Sequence, residues 1–263
     1  MRTVVLPPVD PSYAGRSLAI SEEEDDPAVR EKYRPFLLDP EITASDWVSR
    51  LELSTALKMA EADIQTTGER LRVVVLYGSL RKRSYSKLLA FEASRILFRL
   101  GCDVRVFDPT GLPVKDDDQH QHPKVQELRD LSSWSDGHVW ISPEQHGTLT
   151  AVFKNQIDWI PLSVGSVRPT QGRTSSVPMA YKQFTDADAN DPVEGSSRMI
   201  PSGNRERIVD CMEEFVKYTI VMRPCFALFS DRYSERQERA AKELALRQKQ
   251  DAEVANGVDV GKV

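Results

Sequence analysis

Between residues 71 and 160 the chain repeats one unit three times: a short apolar run, a loop, and an amphipathic helix. The first run, Val73-Val74-Val75-Leu76, is continuously aliphatic. It lacks the in–out alternation of a half-exposed strand, so it predicts a strand buried on both faces. A helix is expected from about Tyr85 to Leu100, with Leu88, Leu89, Ile96, Leu97 and Leu100 on one stripe and Gly101 at its C-terminal cap. Val104-Arg105-Val106-Phe107 predicts a second strand and His138-Val139-Trp140-Ile141 a third, with helices from about Pro123 to Trp134 and from about Thr148 to Ile160. Strand–helix alternation of this kind specifies an α/β fold with a parallel sheet and right-handed crossovers.

The alternation then stops. From Ser163 to Asn204 the chain is rich in Ser, Thr, Pro, Gly and Asp, and no window reads as a buried strand. Beyond it Ile208, Met212, Phe215, Val216, Thr219 and Ile220 share one face of a strong amphipathic helix, which needs a sheet to cover. Sheets usually carry about 4–6 strands, so three are thin support and would leave an aliphatic edge open. By this pattern, material between the third crossover helix and the last helix is missing.

Outside the repeating core the signals are weaker. Residues 1–20 predict a loose arm. Ser21 and Glu24 have the spacing of a capping box opening a short acidic helix. Tyr33-Arg34-Pro35-Phe36-Leu37-Leu38-Asp39-Pro40 is an apolar patch between prolines, and Asp46 is placed to cap a helix through about Ala62. Leu53 and Leu57 fall off that helix's apolar face, so it would touch two surfaces. Apolar residues in such an arm need cover, and a second subunit is one candidate. From Ser234 onward the chain is charged and predicts a frayed helix or tail.

Composition narrows the function classes. Lys plus Arg is 35 and Asp plus Glu 40, a net charge of −5, which weighs against nonspecific nucleic-acid binding. No apolar run approaches the roughly 20 residues of a membrane span. Cys102, Cys211 and Cys225 are odd in number and widely spaced. They form neither a disulfide framework nor a CxxC motif, and they suit a reducing compartment. Prolines and an early acidic run replace any leader pattern, so a cytoplasmic location is expected.

Two loops carry the chemistry. Tyr77-Gly78-Ser79-Leu80-Arg81-Lys82-Arg83-Ser84-Tyr85-Ser86 lies between the first strand and its helix. In an open parallel sheet, ligands bind beyond the carboxyl ends of the strands, at the switch point beside the first strand. Hydroxyls from Ser79, Ser84 and Ser86, the Arg81 guanidinium and the N–H groups of a helix start suit a phosphate monoester. The same residues would also make an ordinary Ser-capped turn. The loop is neither GxxxxGK[ST] nor GxGxxG, so neither triphosphate hydrolysis nor Rossmann-type dinucleotide binding is supported. The second loop, Ser142-Pro143-Glu144-Gln145-His146-Gly147, closes the third strand on the same edge. Pro143 and Gly147 shape a tight turn whose amides can meet the polar edge of a flat ring, though His146 alone would equally suit an exposed loop. Asp116-Asp117-Asp118-Gln119-His120-Gln121-His122 lacks metal-ligand spacing and reads as a solvated acidic loop. No Ser or Cys has a base placed by a recognisable motif such as GxSxG.

With both loops in place, YGSLRKRSYSKLLAFEA (77–93) resembles the phosphate loop of NADPH-dependent FMN reductases. The block HPKVQELRDLSSWSDGHVWISPEQHGTLTAVFKNQIDWIPLSVGSVRPTQGRT (122–174) is similar to the ArsH-type arsenical-resistance flavoproteins within that group, as are YRPFLLDPE (33–41), DWVSRLEL (46–53) and DRYSER (231–236). The resemblance implies a flavodoxin-like, doubly wound parallel sheet, non-covalent FMN, reduction by NADPH and a homotetramer assembled through the N-terminal extension. It implies an oxidoreductase that passes electrons to oxygen, quinones or azo compounds, or oxidises organoarsenicals in arsenical resistance. Ser79, Arg81, Ser84 and Ser86 would hold the FMN phosphate, with Tyr85 nearby. Pro143, Glu144, His146 and Gly147 would line the isoalloxazine ring. Hydride transfer to a flavin needs placement rather than an acid or base, so no catalytic side chain is expected.

The resemblance also exposes a departure. The family follows this block with a strand, a Ser-Gly-Gly-Ser loop that also meets the ring, a helix and a fifth strand. Here Gly172-Arg173-Thr174 runs straight into Ser175-Ser176-Val177-Pro178-Met179-Ala180-Tyr181-Lys182-Gln183-Phe184, which is similar to the sequence after the fifth strand. The gap is roughly 30–40 residues, one strand–helix–strand unit. One or two strands are therefore expected to be missing. The alternative is a truncated, non-catalytic homologue, or a mis-spliced product with impaired flavin binding. The expected organisation is an assembly extension over 1–64, an FMN-binding domain over 65–235 and a charged tail over 236–263.

Overall fold

The central strand β1 (Arg72–Tyr77) has parallel neighbours on both sides, β2 (Asp103–Phe107) and β3 (Gly137–Ile141). The computed structural model describes residues 9–160, 174–176, 197–230 and 233–258. Val73, Val74, Val75 and Leu76 are completely buried. Burying one such side chain is worth about 1.5–3 kcal/mol, so this run anchors the sheet. Its side chains alternate between two cores. Val73 and Val75 face α4 (Tyr85–Arg99), α3 (Ser54–Thr67) and α7 (Gly203–Met222). Val74 and Leu76 face α5 (Pro123–Trp134) and α6 (Ala151–Trp159). Helices on both faces of a parallel sheet are the doubly wound arrangement.

A short hairpin, β4 (Glu144–Gln145) and β5 (Thr148–Leu149), follows β3. The sheet is then extended by β6 (Thr174–Ser176), which pairs in parallel with β3. The strand order is β2-β1-β3-β6, the flavodoxin-like order through its fourth position. The expectation that no strand lies between Ser163 and Asn204 is thereby corrected. Thr-Ser-Ser has no aliphatic run, and three residues of backbone pairing leave no periodicity to read. The join at Gly172-Arg173 and the stretch 177–184 lie outside the described residues, as do residues 1–8.

The segment before β1 differs from its expectation in three ways. Residues 9–20 are not loose. Leu18 N–H donates to the Arg99 carbonyl, the Tyr13 hydroxyl donates to Glu61, and Lys58 pairs with Asp10. Gly101, left-handed at φ 91°, lets Leu18 pack so closely that a Cβ there would stand 2.9 Å from the Leu18 Cβ. Second, Ser21 accepts from Glu24 N–H in a turn, and the helix proper is α1 (Pro27–Tyr33), capped by Asp26. Third, the helix expected from Asp46 is replaced by a 3-10 turn at Val48–Arg50 and α3, while a separate short helix, α2 (Pro40–Ser45), ends just before it. The break lets Val48, Leu53 and Leu57 all bury, which one straight helix could not do. Phe36, also fully buried, packs edge-on to Phe98. Phe36 of the apolar patch is thus covered by this chain's own core, with Leu37 and Leu38 half-buried.

Buried charge ties the pieces together. Arg34, 2% exposed, bridges Asp25 at 2.8 Å and Asp103 at 2.9 Å, fixing the end of α1 to the start of β2. Arg198 donates from Nε and Nη2 to the two oxygens of the fully buried Glu92, both at 2.8 Å, and pairs with Asp46. Met199 N–H adds a third bond to Glu92. This network returns the chain to α4 before α7 begins. On α7, Ile208, Met212, Phe215, Val216 and Thr219 are buried on the expected face. One compact unit ends at Arg223; the second, from Pro224, contains α8 (Tyr233–Val258), whose Leu244 and Leu246 are exposed.

Candidate functional site

β1 and β3 end in step, with Tyr77 opposite Ile141. The loops that leave them diverge to α4 on one face of the sheet and α6 on the other. That divergence makes a crevice at the carboxyl edge, where doubly wound sheets bind ligands.

In the first loop, Ser79 is half-buried and its hydroxyl accepts from Arg81 N–H at 3.3 Å. Arg81, Lys82 and Arg83 are exposed. Ser84 caps α4: its hydroxyl accepts from Lys87 N–H at 3.2 Å. Ser84 and Ser86 are buried, and their hydroxyls bond each other at 2.8 Å. Tyr85 is half-buried in the first turn of α4. The structure therefore brings Ser84 and Ser86 together beneath the loop, while Ser79 and Arg81 are the groups presented outward. Helix start, hydroxyls and guanidinium match the needs of a phosphate dianion.

The second loop is the β4–β5 hairpin. His146 (φ 51°) and Gly147 (φ 76°) form its two-residue turn, both left-handed as a type I′ turn requires. Histidine tolerates that region better than most residues. Glu144, Gln145, His146 and Gly147 are exposed and Pro143 is half-buried. The helix expected from Thr148 instead begins at Ala151, because Thr148 and Leu149 are taken by β5 and Thr150 is the cap.

Gly78 joins the two loops. Its N–H donates to the Ile141 carbonyl at 2.9 Å, and its carbonyl accepts from the Thr150 hydroxyl at 2.7 Å. A Cβ at Gly78 would stand 2.8 Å from both Phe153 Cβ and Thr150 Oγ1, and 2.9 Å from Ser142 Oγ. Ser142, buried, accepts from Thr150 N–H and donates to the Pro143 carbonyl. Gln156, fully buried on α6, donates to the Tyr77 carbonyl at 3.0 Å. Thr150 and Gln156 lie outside both sequence loops, and Gly78 lies in the first without a predicted role. A threonine three residues before an apolar helix position was the available signal, as an N-cap.

At the neighbouring strand end, the Tyr77 hydroxyl donates to Asp108. Desolvation pushes the Asp108 carboxyl up, but bonds from Thr110 N–H, the Thr110 hydroxyl and Tyr77 outweigh it, and its pKa is lowered. The acidic loop serves packing: His122 Nδ1 accepts from Lys124 N–H at the cap of α5, and His120 lies edge-on to Trp159 beside Arg129. Among the described residues, no three His, Cys, Asp or Glu side chains gather as a metal-ligand group. No helix among them is long and apolar enough to cross a membrane.

Residues 71–184 match the family model described as NADPH-dependent FMN reductase. The chain is 48% identical over 206 residues to the NADPH-dependent FMN reductase ArsH of Rhizobium meliloti, covering 65% of this chain and 82% of that protein. It is 43% identical over 210 residues to the NADPH-dependent FMN reductase ArsH of Acidithiobacillus ferrooxidans, covering 67% and 84%. With the ArsH protein of Shigella flexneri it shares 39% identity over 217 residues, 73% of this chain and 85% of that one.

Proposed function

The chain belongs to the ArsH-type NADPH-dependent FMN reductases, and from that premise we propose that the crevice between the first loop and the hairpin is its flavin site. The protein is an NADPH–FMN oxidoreductase. The observation that carries the siting is the Gly78 junction, which locks a loop chemically suited to phosphate against an exposed hairpin, at the sheet's switch point. The donor set fits FMN. Arg81 and the Ser79 hydroxyl would hold the phosphate dianion from the outward side of the loop. Ser84 and Ser86 support it from below, with Tyr85 at the helix start. Pro143, Glu144, His146 and Gly147 line the ring.

Bound FMN supplies a two-electron acceptor for the hydride of NADPH. The work of the chain's own residues is placement. Arg81 would neutralise phosphate charge, the α4 N-terminus would add its positive end, and the hairpin turn would offer its peptide groups to the ring. No side chain here is assigned as an acid or base. The exposure of the hairpin leaves room for small oxidants, and the reading extends to oxygen, quinones and azo compounds as acceptors, or to oxidation of organoarsenicals. Work in the cytoplasm as a homotetramer belongs to the same reading and rests on family membership.

The testing experiment is an FMN titration of the purified chain followed by NADPH addition under argon. Saturable binding with NADPH-dependent bleaching supports the proposal. A second reading is favoured by the brevity of β6, three residues long beside β3. On that reading the shortened sheet supports the ring loop poorly, and the protein folds but holds FMN weakly or not at all.

A further inference from the structure

We propose that Thr150 is a positioning residue of the flavin site, because its hydroxyl replaces a ladder hydrogen bond that Pro143 cannot make. The inference rests on the siting of FMN proposed above. In a parallel ladder, a residue that donates to position j−1 of its neighbour accepts from position j+1. Gly78 N–H donates to the Ile141 carbonyl at 2.9 Å, so the donor owed to the Gly78 carbonyl is the N–H of residue 143. Residue 143 is proline and has none. The buried Gly78 carbonyl instead takes the Thr150 hydroxyl at 2.7 Å.

Thr150 is fixed by two further bonds. Its Oγ1 accepts from Phe153 N–H as the cap of α6, at 3.3 Å. Its own N–H donates to Ser142 Oγ at 3.3 Å. Two turns of α6 carry the grip along to Gln156, which holds the preceding carbonyl of Tyr77. The peptide leading into Ser79 is therefore oriented from α6, the helix that follows the ring loop. One hydroxyl thus sets the direction in which the phosphate loop leaves the sheet relative to Pro143 and the hairpin. Proline at 143 frees the ring loop from the ladder, and Thr150 restores the register that its absence of an N–H would lose.

The test compares Thr150→Val, which keeps shape but deletes the hydroxyl, with Thr150→Ser, which retains it. FMN itself is the probe, titrated by flavin fluorescence quenching well below each variant's unfolding temperature, with folding checked by circular dichroism. Thr150→Val is expected to raise the FMN Kd about tenfold or more, equivalent to about 1.4 kcal/mol, because a buried acceptor is left unpaired at the loop's base. Thr150→Ser is expected to stay within about threefold of the parent, and the near-ultraviolet band of bound flavin should shift only in the valine variant. A purely structural role would lower the unfolding temperature and leave the Kd of the folded protein unchanged, which would overturn the proposal. If Thr150→Val does not fold, the double variant Pro143→Ala, Thr150→Val restores an N–H at the ladder position. Its folding, with an unfolding temperature regained toward the parent's, supports the account; a double variant no more stable than the single one overturns it. A parent protein that binds no FMN refutes the siting itself, a result distinct from a parent and valine variant that bind alike.

Discussion

Substituting Gly78 by alanine isolates the contact on which the site depends. The added Cβ would meet Phe153 Cβ and Thr150 Oγ1 at 2.8 Å and Ser142 Oγ at 2.9 Å, well inside the 3.5–4.0 Å or so of a favourable carbon contact. Phe153 cannot yield, since it is fully buried and packed edge-on to Trp140. Thr150 can turn away only by giving up its bonds to the Gly78 carbonyl and Phe153 N–H. Overpacking typically costs about 1–3 kcal/mol and each lost hydrogen bond about 0.5–1.5 kcal/mol. A total of about 2–6 kcal/mol follows, a large share of the roughly 5–15 kcal/mol that holds a domain folded. Urea unfolding of parent and variant, read by circular dichroism, measures it. Gly203→Ala is the control, because a Cβ there meets nothing within 4 Å. A Gly78→Ala loss below about 0.5 kcal/mol, no larger than an ordinary surface change, would refute the reasoning.

Other expectations follow from the same geometry. Arg81→Ala should weaken FMN binding by about 1.5–3 kcal/mol, the worth of a charge-assisted bond; unchanged affinity in a titration would remove Arg81 from the phosphate site. Glu92→Gln should destabilise the fold by about 3–5 kcal/mol, since it removes the fully buried charge that Arg198 and Arg95 share; a urea midpoint equal to the parent's would show that the network is dispensable. Cys102 is 1% exposed and burial pushes its thiol pKa up, so a disulfide reagent should modify it only as fast as the protein unfolds. Rapid modification of Cys102 in native buffer would contradict its place in the core.

What the sequence made legible, and what it hid, has physical causes. Val73 to Leu76 announced a doubly buried strand because both faces of β1 are covered, and the stripe on α7 was readable because that helix has one wet face. β6 was invisible because its three polar residues are held by backbone pairing to β3. The hairpin strands are two residues each, below any periodicity. The N-terminal helix was misjudged because Leu53 and Leu57 bury by breaking the helix, a tertiary choice that local propensity cannot express. Both loops of the proposed site are legible from their places after strands. Their junction is not, because Gly78 and Thr150 lie 72 residues apart and only the fold brings them together.

The most direct test of the central claim is the visible absorption spectrum of this chain purified with FMN, before and after NADPH. The account predicts a yellow protein retaining FMN through gel filtration, with its flavin band bleached when NADPH is added without oxygen. Colourless protein that gains no flavin band at saturating FMN would contradict it.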